Sequence, residues 1–452
     1  MNVLLVQPKQ HEEDNYFINL GLATIGAILR NAGHDVSALG FDALKYSGQQ
    51  AFDPPATEVV MVSGMITNVV NIRAAVMAVR ERLPGATFVL GGGCPTAAPP
   101  ELLVYLAEWF NYFVIGEGDD VVLPLLDAIG KGEDATETVT NVLAPAPGGG
   151  VKGEKAYLPP QIGEVAMPAH DLFDMESYLD FIGRTGRAFE MYSSRGCPWD
   201  CSFCFRVSGA STRIRSVDDI ITEMDHLHEA HGVERFSFVD DTFGLKPRWL
   251  EEFCRRMKER PYGFRFQAMI NSLRNSNKLD MMRDAGLFGV SMGIESGSQK
   301  ILDFLGKKND LEAARNLIRY CNGNDLYASG SFIIGVPGET WETIEETREF
   351  MAQNRLDSFQ IFFLNPYPGT RIFDYAVETG AITAPLDYIV NMGLEDQISV
   401  NLTEHDDATL YAMRDHILDG VIAEQHRDGF EAASWKRFQR SKPKPQSNRR
   451  LT

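Results

Sequence analysis

Residues 193–204 read Ser193-Ser-Arg-Gly-Cys-Pro-Trp-Asp-Cys-Ser-Phe-Cys204, and this short stretch holds three of the chain's six cysteines. Three thiols so close together cannot pair off evenly, and in a reducing compartment such a cluster reads as a soft-metal site. A structural zinc site needs four protein ligands, yet no fourth Cys or His lies nearby. His226, His228 and His231 follow only later, inside a stretch with helical spacing. An iron–sulfur cluster held by Cys197, Cys201 and Cys204, with one iron left open, fits better. Three chance cysteines in a buried turn are the bland alternative. Cys94, Cys254 and Cys321 are scattered.

The surroundings of this stretch set the fold. Phe189–Ser193 is an apolar run leading into the cysteines. Five further candidate strands follow at regular spacing: Arg235–Val239, Phe264–Ile270, Phe288–Ile294, Tyr327–Ile334 and Phe359–Leu364. Helical stretches separate them, among them Val217–Ala230, Pro247–Lys258, Leu279–Ala285 and Asp310–Asn322. Six β/α repeats predict a partial TIM-like barrel, with reactive groups at the carboxyl ends of its strands. Those ends carry the cysteines, Asp240-Asp-Thr242, Met269-Ile-Asn271, Glu295-Ser-Gly-Ser298, Gly335-Val-Pro-Gly-Glu339 and Asn365-Pro-Tyr-Pro-Gly369.

Residues 1–135 alternate strand and helix signals as well, which predicts a parallel sheet with helices on both faces. A five-stranded, doubly wound sheet of the flavodoxin or Rossmann kind is the natural topology. Its strands would end at Gln7–Asn19, Ser63-Gly64-Met65, Gly91-Gly-Gly-Cys-Pro-Thr96 and Gly116-Glu-Gly118. Small residues there let a large flat ligand approach the backbone, although glycines also simply make turns. Residues 136–185 read as a linker and 186–375 as the barrel. Residues 376–452 read as a small helical region, with a helix over Asp406–Gln425 and a disordered basic tail from Trp435.

Composition narrows the function. The chain has 452 residues, 44% hydrophobic and 23% charged, with a net charge of −19. That length suggests roughly three domains. An acidic surface repels the phosphate backbone, so nucleic acid is not an expected partner, whereas a cationic small molecule is favoured. No 18-residue apolar window spans a membrane, and the acidic flank of the N-terminus argues against a signal peptide. A cytoplasmic location is expected.

Cys197-x-x-x-Cys201-x-Phe203-Cys204 resembles the signature of the radical S-adenosylmethionine (radical SAM) enzymes. Leu20-Gly-Leu-Ala-Thr-Ile-Gly26, Gly91-Gly-Gly-Cys-Pro-Thr96 and Val114-Ile-Gly-Glu-Gly118 resemble the loops of cobalamin (B12)-binding domains fused to many of them. The resemblance covers residues 1 to about 375. It implies a [4Fe–4S] cluster on the three cysteines, whose open iron chelates SAM, and an electron donor such as flavodoxin or ferredoxin. Phe203, Asp241, Thr242, Glu295 and Gly335 would bind SAM. Cleavage would yield a 5′-deoxyadenosyl radical that removes a substrate hydrogen.

Two outcomes follow from that radical. In overall shape the chain resembles the radical diol-dehydratases of apramycin-type aminoglycoside biosynthesis, which implies dehydration of an aminosugar such as paromamine. A nicotinamide-dependent reductase would then act on the product. Asp240, Glu190, Glu339 and Tyr367 are the candidate acid–base groups for this chemistry, with helix capping as the alternative role of Asp240. The alternative outcome is cobalamin-dependent methylation of a small natural product. Two features count against bound cobalamin. The Asp-x-His-x-x-Gly motif is absent, and the glycine loop reads Gly93-Cys94-Pro95 where many relatives carry His. A non-catalytic iron–sulfur protein is a third class, disfavoured by the reactive groups gathered at one barrel mouth.

Overall fold

Apolar β-branched runs build the first sheet. In a computed structural model, which describes residues 1–9, 17–40, 54–156, 159–160, 162, 166–268, 270–273, 276–393 and 396–427, the N-terminal strands are β1 (Asn2–Val6), β2 (Asp35–Leu39), β3 (Val59–Ser63), β4 (Thr87–Gly91) and β5 (Tyr112–Val114). They run parallel in the order β2-β1-β3-β4-β5. Val59, Val60 and Val62 in β3 are buried, as expected of a strand covered on both faces. Helices Leu20–Asn31 and Val122–Lys131 pack on one face, and helices Val69–Arg82 and Pro100–Leu106 on the other. Asn19 caps the first of these by accepting a hydrogen bond from the Leu22 backbone N–H at 3.0 Å.

The sheet is longer than the sequence predicts. Residues 136–185, expected to be a linker, supply β6 (Val142–Pro145) and β7 (Val151–Lys152), which extend it antiparallel to seven strands. They also supply the helix Met175–Thr185. Short strands joined through the Pro-Gly-Gly-Gly turn carry too little alternation to stand out.

The second sheet has six parallel strands and follows the predicted spacing. They are β8 (Phe189–Met191), β11 (Arg235–Phe238), β12 (Gly263–Ala268), β13 (Leu287–Glu295), β14 (Tyr327–Ile334) and β15 (Ser358–Phe363), adjacent in that sequence. Between β8 and β11 lies a small hairpin of β9 (Ser194–Arg195) and β10 (Arg213–Ile214). Side-chain alternation divides the sheet's faces. Phe236, Phe238, Phe264 and Phe266 point outward and are buried. Phe253, on the helix Pro247–Met257, meets Phe238 and Phe264 edge-on. The inner face is polar: Arg265 Nε donates to Ser237 Oγ at 2.9 Å, and Ser329 Oγ donates to Ser291 Oγ at 2.9 Å.

The C-terminal elements tie the parts together. Phe373, Ala376 and Ile389 pack into the same core as β3 and β4 of the first sheet. The helix Asp407–Arg427 lies against the helix Trp341–Gln353, with His416 Nε2 2.8 Å from Glu345. The basic tail from Trp435 lies outside the described residues. Among these, no helix is long and apolar enough to cross a membrane.

Candidate active site at the mouth of the half barrel

The cysteine loop runs from β9 to β10 and is anchored at both ends. Gly196, directly before Cys197, adopts φ +89°, and a Cβ there would sit 2.3 Å from the Ser211 carbonyl oxygen. Only glycine fits. Within the loop the Cys197 backbone N–H donates to the Gly209 carbonyl at 3.1 Å. The Ser202 N–H donates to the Leu305 carbonyl at 2.8 Å, and the Ile372 N–H to the Ser202 carbonyl at 3.0 Å. The loop is thereby pinned to the segments that follow β13 and β15.

All three loop cysteines are free thiols, Cys204 exposed and the others half-buried. Desolvation first, and then the neighbouring cysteines, push the Cys204 thiol up to about 11. Among the described residues no three Cys, His, Asp or Glu side chains converge as ligands of a single metal ion. Three thiols on one short loop, near enough that Cys201 and Cys197 raise Cys204, suit a shared multi-iron cluster, and metal binding itself would remove the protons. The residues present therefore fit a [4Fe–4S] group.

Residues expected to bind SAM surround this loop. Phe203 packs against the apolar cluster of Ile301, Leu305, Ile333, Val336, Leu364 and Ile372, which includes residues on both sides of Gly335 at the end of β14. Asp241 accepts from the Gly196 N–H at 3.3 Å, and Thr242 Oγ1 donates to the Gly196 carbonyl at 3.2 Å. Both hold the residue that precedes Cys197. Glu295 follows an irregularity in the β13–β14 register and has φ +69°, rare for a side chain of its size. A Cβ at Gly293 would lie 2.5 Å from Glu295 Oε1, so the missing side chain makes room for the carboxylate.

Glu295 brings in a residue that sequence reasoning missed. Lys307 Nζ lies 2.8 Å from Glu295 Oε1, and both side chains are nearly buried. Burial alone would lower the Lys307 ammonium, but Glu295, with Cys201 and Cys204 nearby, holds it above its usual value. Lys307 lies in coil twelve positions after Glu295 and belongs to no motif, so no local pattern marks it.

The four candidate acid–base groups do not gather at one point. Asp240 is buried behind the mouth and accepts from the backbone N–H groups of Ser193 (2.6 Å) and Ser194 (2.9 Å) and from the Ser193 hydroxyl. It braces the end of β8, and burial pushes its carboxyl up to about 7. Glu339 is turned into its own loop, accepting from Thr343 Oγ1 at 2.8 Å and from the Val336 N–H at 3.4 Å; burial raises it likewise to about 7. Tyr367, like Phe205, packs against the first sheet's core. Glu190 lies mid-strand, level with Ser237 and Arg265 on the polar inner face, and desolvation raises its carboxyl.

The first domain's glycine loops face the same mouth. Gly92 has φ +84°, and a Cβ on it would lie 2.7 Å from Ser63 Oγ and 3.0 Å from the Gly64 carbonyl oxygen. A Cβ on the adjacent Gly93 would meet Met65 at 2.7 Å and Val207 of the cysteine loop at 3.5 Å. Cys94, the loop residue that in the sequence counts against cobalamin, is fully buried in the core with its N–H donating to the Gly64 carbonyl. Its side chain belongs to the apolar core that also holds Leu90 and Leu102, so its identity is set by packing.

Residues 14–126 match the B12 binding domain, and residues 191–351 match the radical SAM superfamily. The chain unites a B12-binding domain with a radical SAM domain. A radical SAM domain works with a [4Fe–4S] cluster and SAM, as the cysteine loop anticipates. An uncharacterised methyltransferase of Pyrococcus horikoshii is 29% identical over 394 residues, 83% of either chain. The anaerobic magnesium-protoporphyrin IX monomethyl ester cyclase of Rubrivivax gelatinosus is 26% identical, covering 82% of this chain and 69% of its own. Among solved structures, the radical SAM methyltransferase TsrM of Kitasatospora setae, with cobalamin and a [4Fe–4S] cluster bound, superposes with a TM-score of 0.69. It is 21% identical over 84% of this chain and 75% of its own. That likeness establishes the shared two-domain fold.

Proposed function

We propose that the protein is a cobalamin-dependent radical SAM methyltransferase acting on a small polar molecule. The observation that carries this reading is the approach of both Met65 and Val207 of the cysteine loop to Gly93. It brings the loops suited to a flat cofactor against the cysteine loop at the open end of the half barrel. The methyltransferase relatives support it. Cys197, Cys201 and Cys204 would hold the cluster, and the loops around Gly64 and Gly92–Thr96 would hold cobalamin. When bound, the cluster and SAM supply an organic radical and cobalamin supplies a transferable methyl group.

The chain's own residues position and shield. Glu295 and Lys307 present paired charges beside the cysteine loop, and Lys307 suits the carboxylate of SAM. Phe203 and its apolar neighbours wall off the adenine side. Gln267, Ser291, Ser329, Ser331 and Gln360 offer hydrogen bonds from the inner face of the sheet, which suits a polar substrate. Tyr367, with Phe205, closes the seam between the domains.

Methyl transfer displaces dehydration as the leading outcome, because dehydration leaves the glycine-loop site without a task. Paromamine, incubated with anaerobically reconstituted protein, SAM, hydroxocobalamin and a reductant, distinguishes the two by product mass. A gain of about 14 Da marks methylation and a loss of about 18 Da marks dehydration, the masses of the groups exchanged. The same readout applies to other polar candidates. Product that loses water and forms equally well without cobalamin would overturn the methyltransferase reading.

A further inference from the structure

Glu117 belongs to the Gly116-Glu-Gly118 loop of the first domain, yet its carboxylate reaches into the second. Oε2 accepts from Arg195 Nη1 at 2.7 Å and from Arg213 Nη1 at 2.9 Å, and Oε1 accepts from Arg213 Nη2. Arg195 lies on β9, two residues before Cys197, and Arg213 on β10, where the cysteine loop ends. One carboxylate of the first domain thus grips both ends of the loop that carries the cluster ligands. Asp119 adds a second acceptor for Arg195 at 2.9 Å. The four side chains are between 7% and 12% exposed and balance two positive against two negative charges.

The same loop is bonded back to the glycine turn. The Gly116 N–H donates to Thr96 Oγ1 at 2.8 Å, and Thr96 Oγ1 donates to the Gly92 carbonyl at 2.7 Å. A continuous hydrogen-bonded path therefore runs from Gly92, beside Gly64 and Met65, through Thr96, Gly116 and Glu117 to Arg195, Arg213 and the cysteine loop. The sequence suggested that Gly116-Glu-Gly118 is a ligand loop. Its glutamate is instead spent on the arginines: burial alone would raise that carboxyl, but Arg213 and Arg195 hold it below its ordinary value.

We infer that Glu117 is a positioning residue that couples cobalamin binding on the first domain to SAM binding at the cluster of the second. This rests on the cobalamin reading above. A shift of the glycine loops on loading moves Glu117, and with it both ends of the cysteine loop. The coupling must be reciprocal: each ligand changes the other's affinity by the same factor.

The test uses full-length, cluster-loaded protein with hydroxocobalamin and SAM as probes. The Kd of hydroxocobalamin is measured with and without saturating SAM, and the Kd of SAM with and without hydroxocobalamin. In the unaltered protein the two ratios should agree and differ from one by about tenfold, within the usual range of such couplings. In Glu117→Gln both ratios should fall to within about twofold of one, while the iron content and each ligand's affinity alone stay near normal. Arg213→Lys, which keeps the charge but loses the two-pronged hold on Glu117, should show the same loss and serves if Glu117→Gln folds poorly. Asp171→Asn, which removes an exposed partner of Arg30, should leave the ratios unchanged. Ratios of one in the unaltered protein, or unchanged ratios in both Glu117→Gln and Arg213→Lys, would overturn the coupling alone. Failure of the unaltered protein to bind hydroxocobalamin would instead overturn the cobalamin reading beneath it.

Discussion

Replacing Gly196 by alanine tests whether the cysteine loop is preformed by its backbone. Two penalties add up. At φ +89° an L-residue is disfavoured by about 1–2 kcal/mol. The new Cβ would also lie 2.3 Å from the Ser211 carbonyl oxygen and 3.0 Å from that of Ser208, so these peptides must retreat by roughly 1 Å. Together the cost approaches about 3–4 kcal/mol if the loop holds its shape. The loop has little regular structure between β9 and β10, so shifting it is cheaper than unfolding the barrel. Gly196→Ala should therefore lose at least half of its iron after anaerobic reconstitution, with Tm falling by only a few degrees. Gly232→Ala is the control: φ is +67° there as well, but nothing lies within 4 Å of its Cβ, so iron should load fully. Full iron loading and an unchanged cluster EPR signal in Gly196→Ala would refute the reasoning.

Lys307→Met should destabilise the protein by about 3–5 kcal/mol in urea unfolding, because it leaves Glu295 buried without its cation. It should also weaken SAM binding at least tenfold by equilibrium dialysis. Asp240 and Glu339 should make stability depend on pH: burial raises both carboxyls from their ordinary values near 4 to about 7. The folded protein then binds more protons than the unfolded chain across that window. Their contribution is greatest below about pH 4, falls as pH rises to about 7 and is flat above it. Asp240→Asn should reduce that slope by about half in urea melts between pH 4 and 7, Glu339 supplying the rest, and an unchanged slope would count against the burial argument. Gly92→Ala places a Cβ against Ser63 and Gly64 at φ +84°. It should abolish hydroxocobalamin binding while iron loading stays normal.

Periodic features were legible in the sequence. The six strands of the half barrel stood out because they recur at regular spacing with helical stretches between them, and Tyr327–Ile334 was placed to the residue. The cysteine trio was legible because its spacing is itself the chemistry. Side-chain direction was not. Asp240 and Asp241 are neighbours at one strand end, yet the first is buried under Ser193 and Ser194 while the second is exposed and reaches Gly196. Glu339 at the next glycine-rich turn folds back on its own loop, a choice made by local hydrogen bonds. Glu117 was hidden for the opposite reason. Its partners lie 78 and 96 residues away, and only the docking of two domains brings them together.

The most direct measurement of the central claim is cofactor content: iron and corrinoid per chain after anaerobic reconstitution with iron, sulfide and hydroxocobalamin. Two loaded domains sharing one mouth predict about four irons and about one corrinoid per chain, with the iron lost in Cys201→Ala. Iron retained in Cys201→Ala, or a chain that takes up iron but no corrinoid, would contradict it.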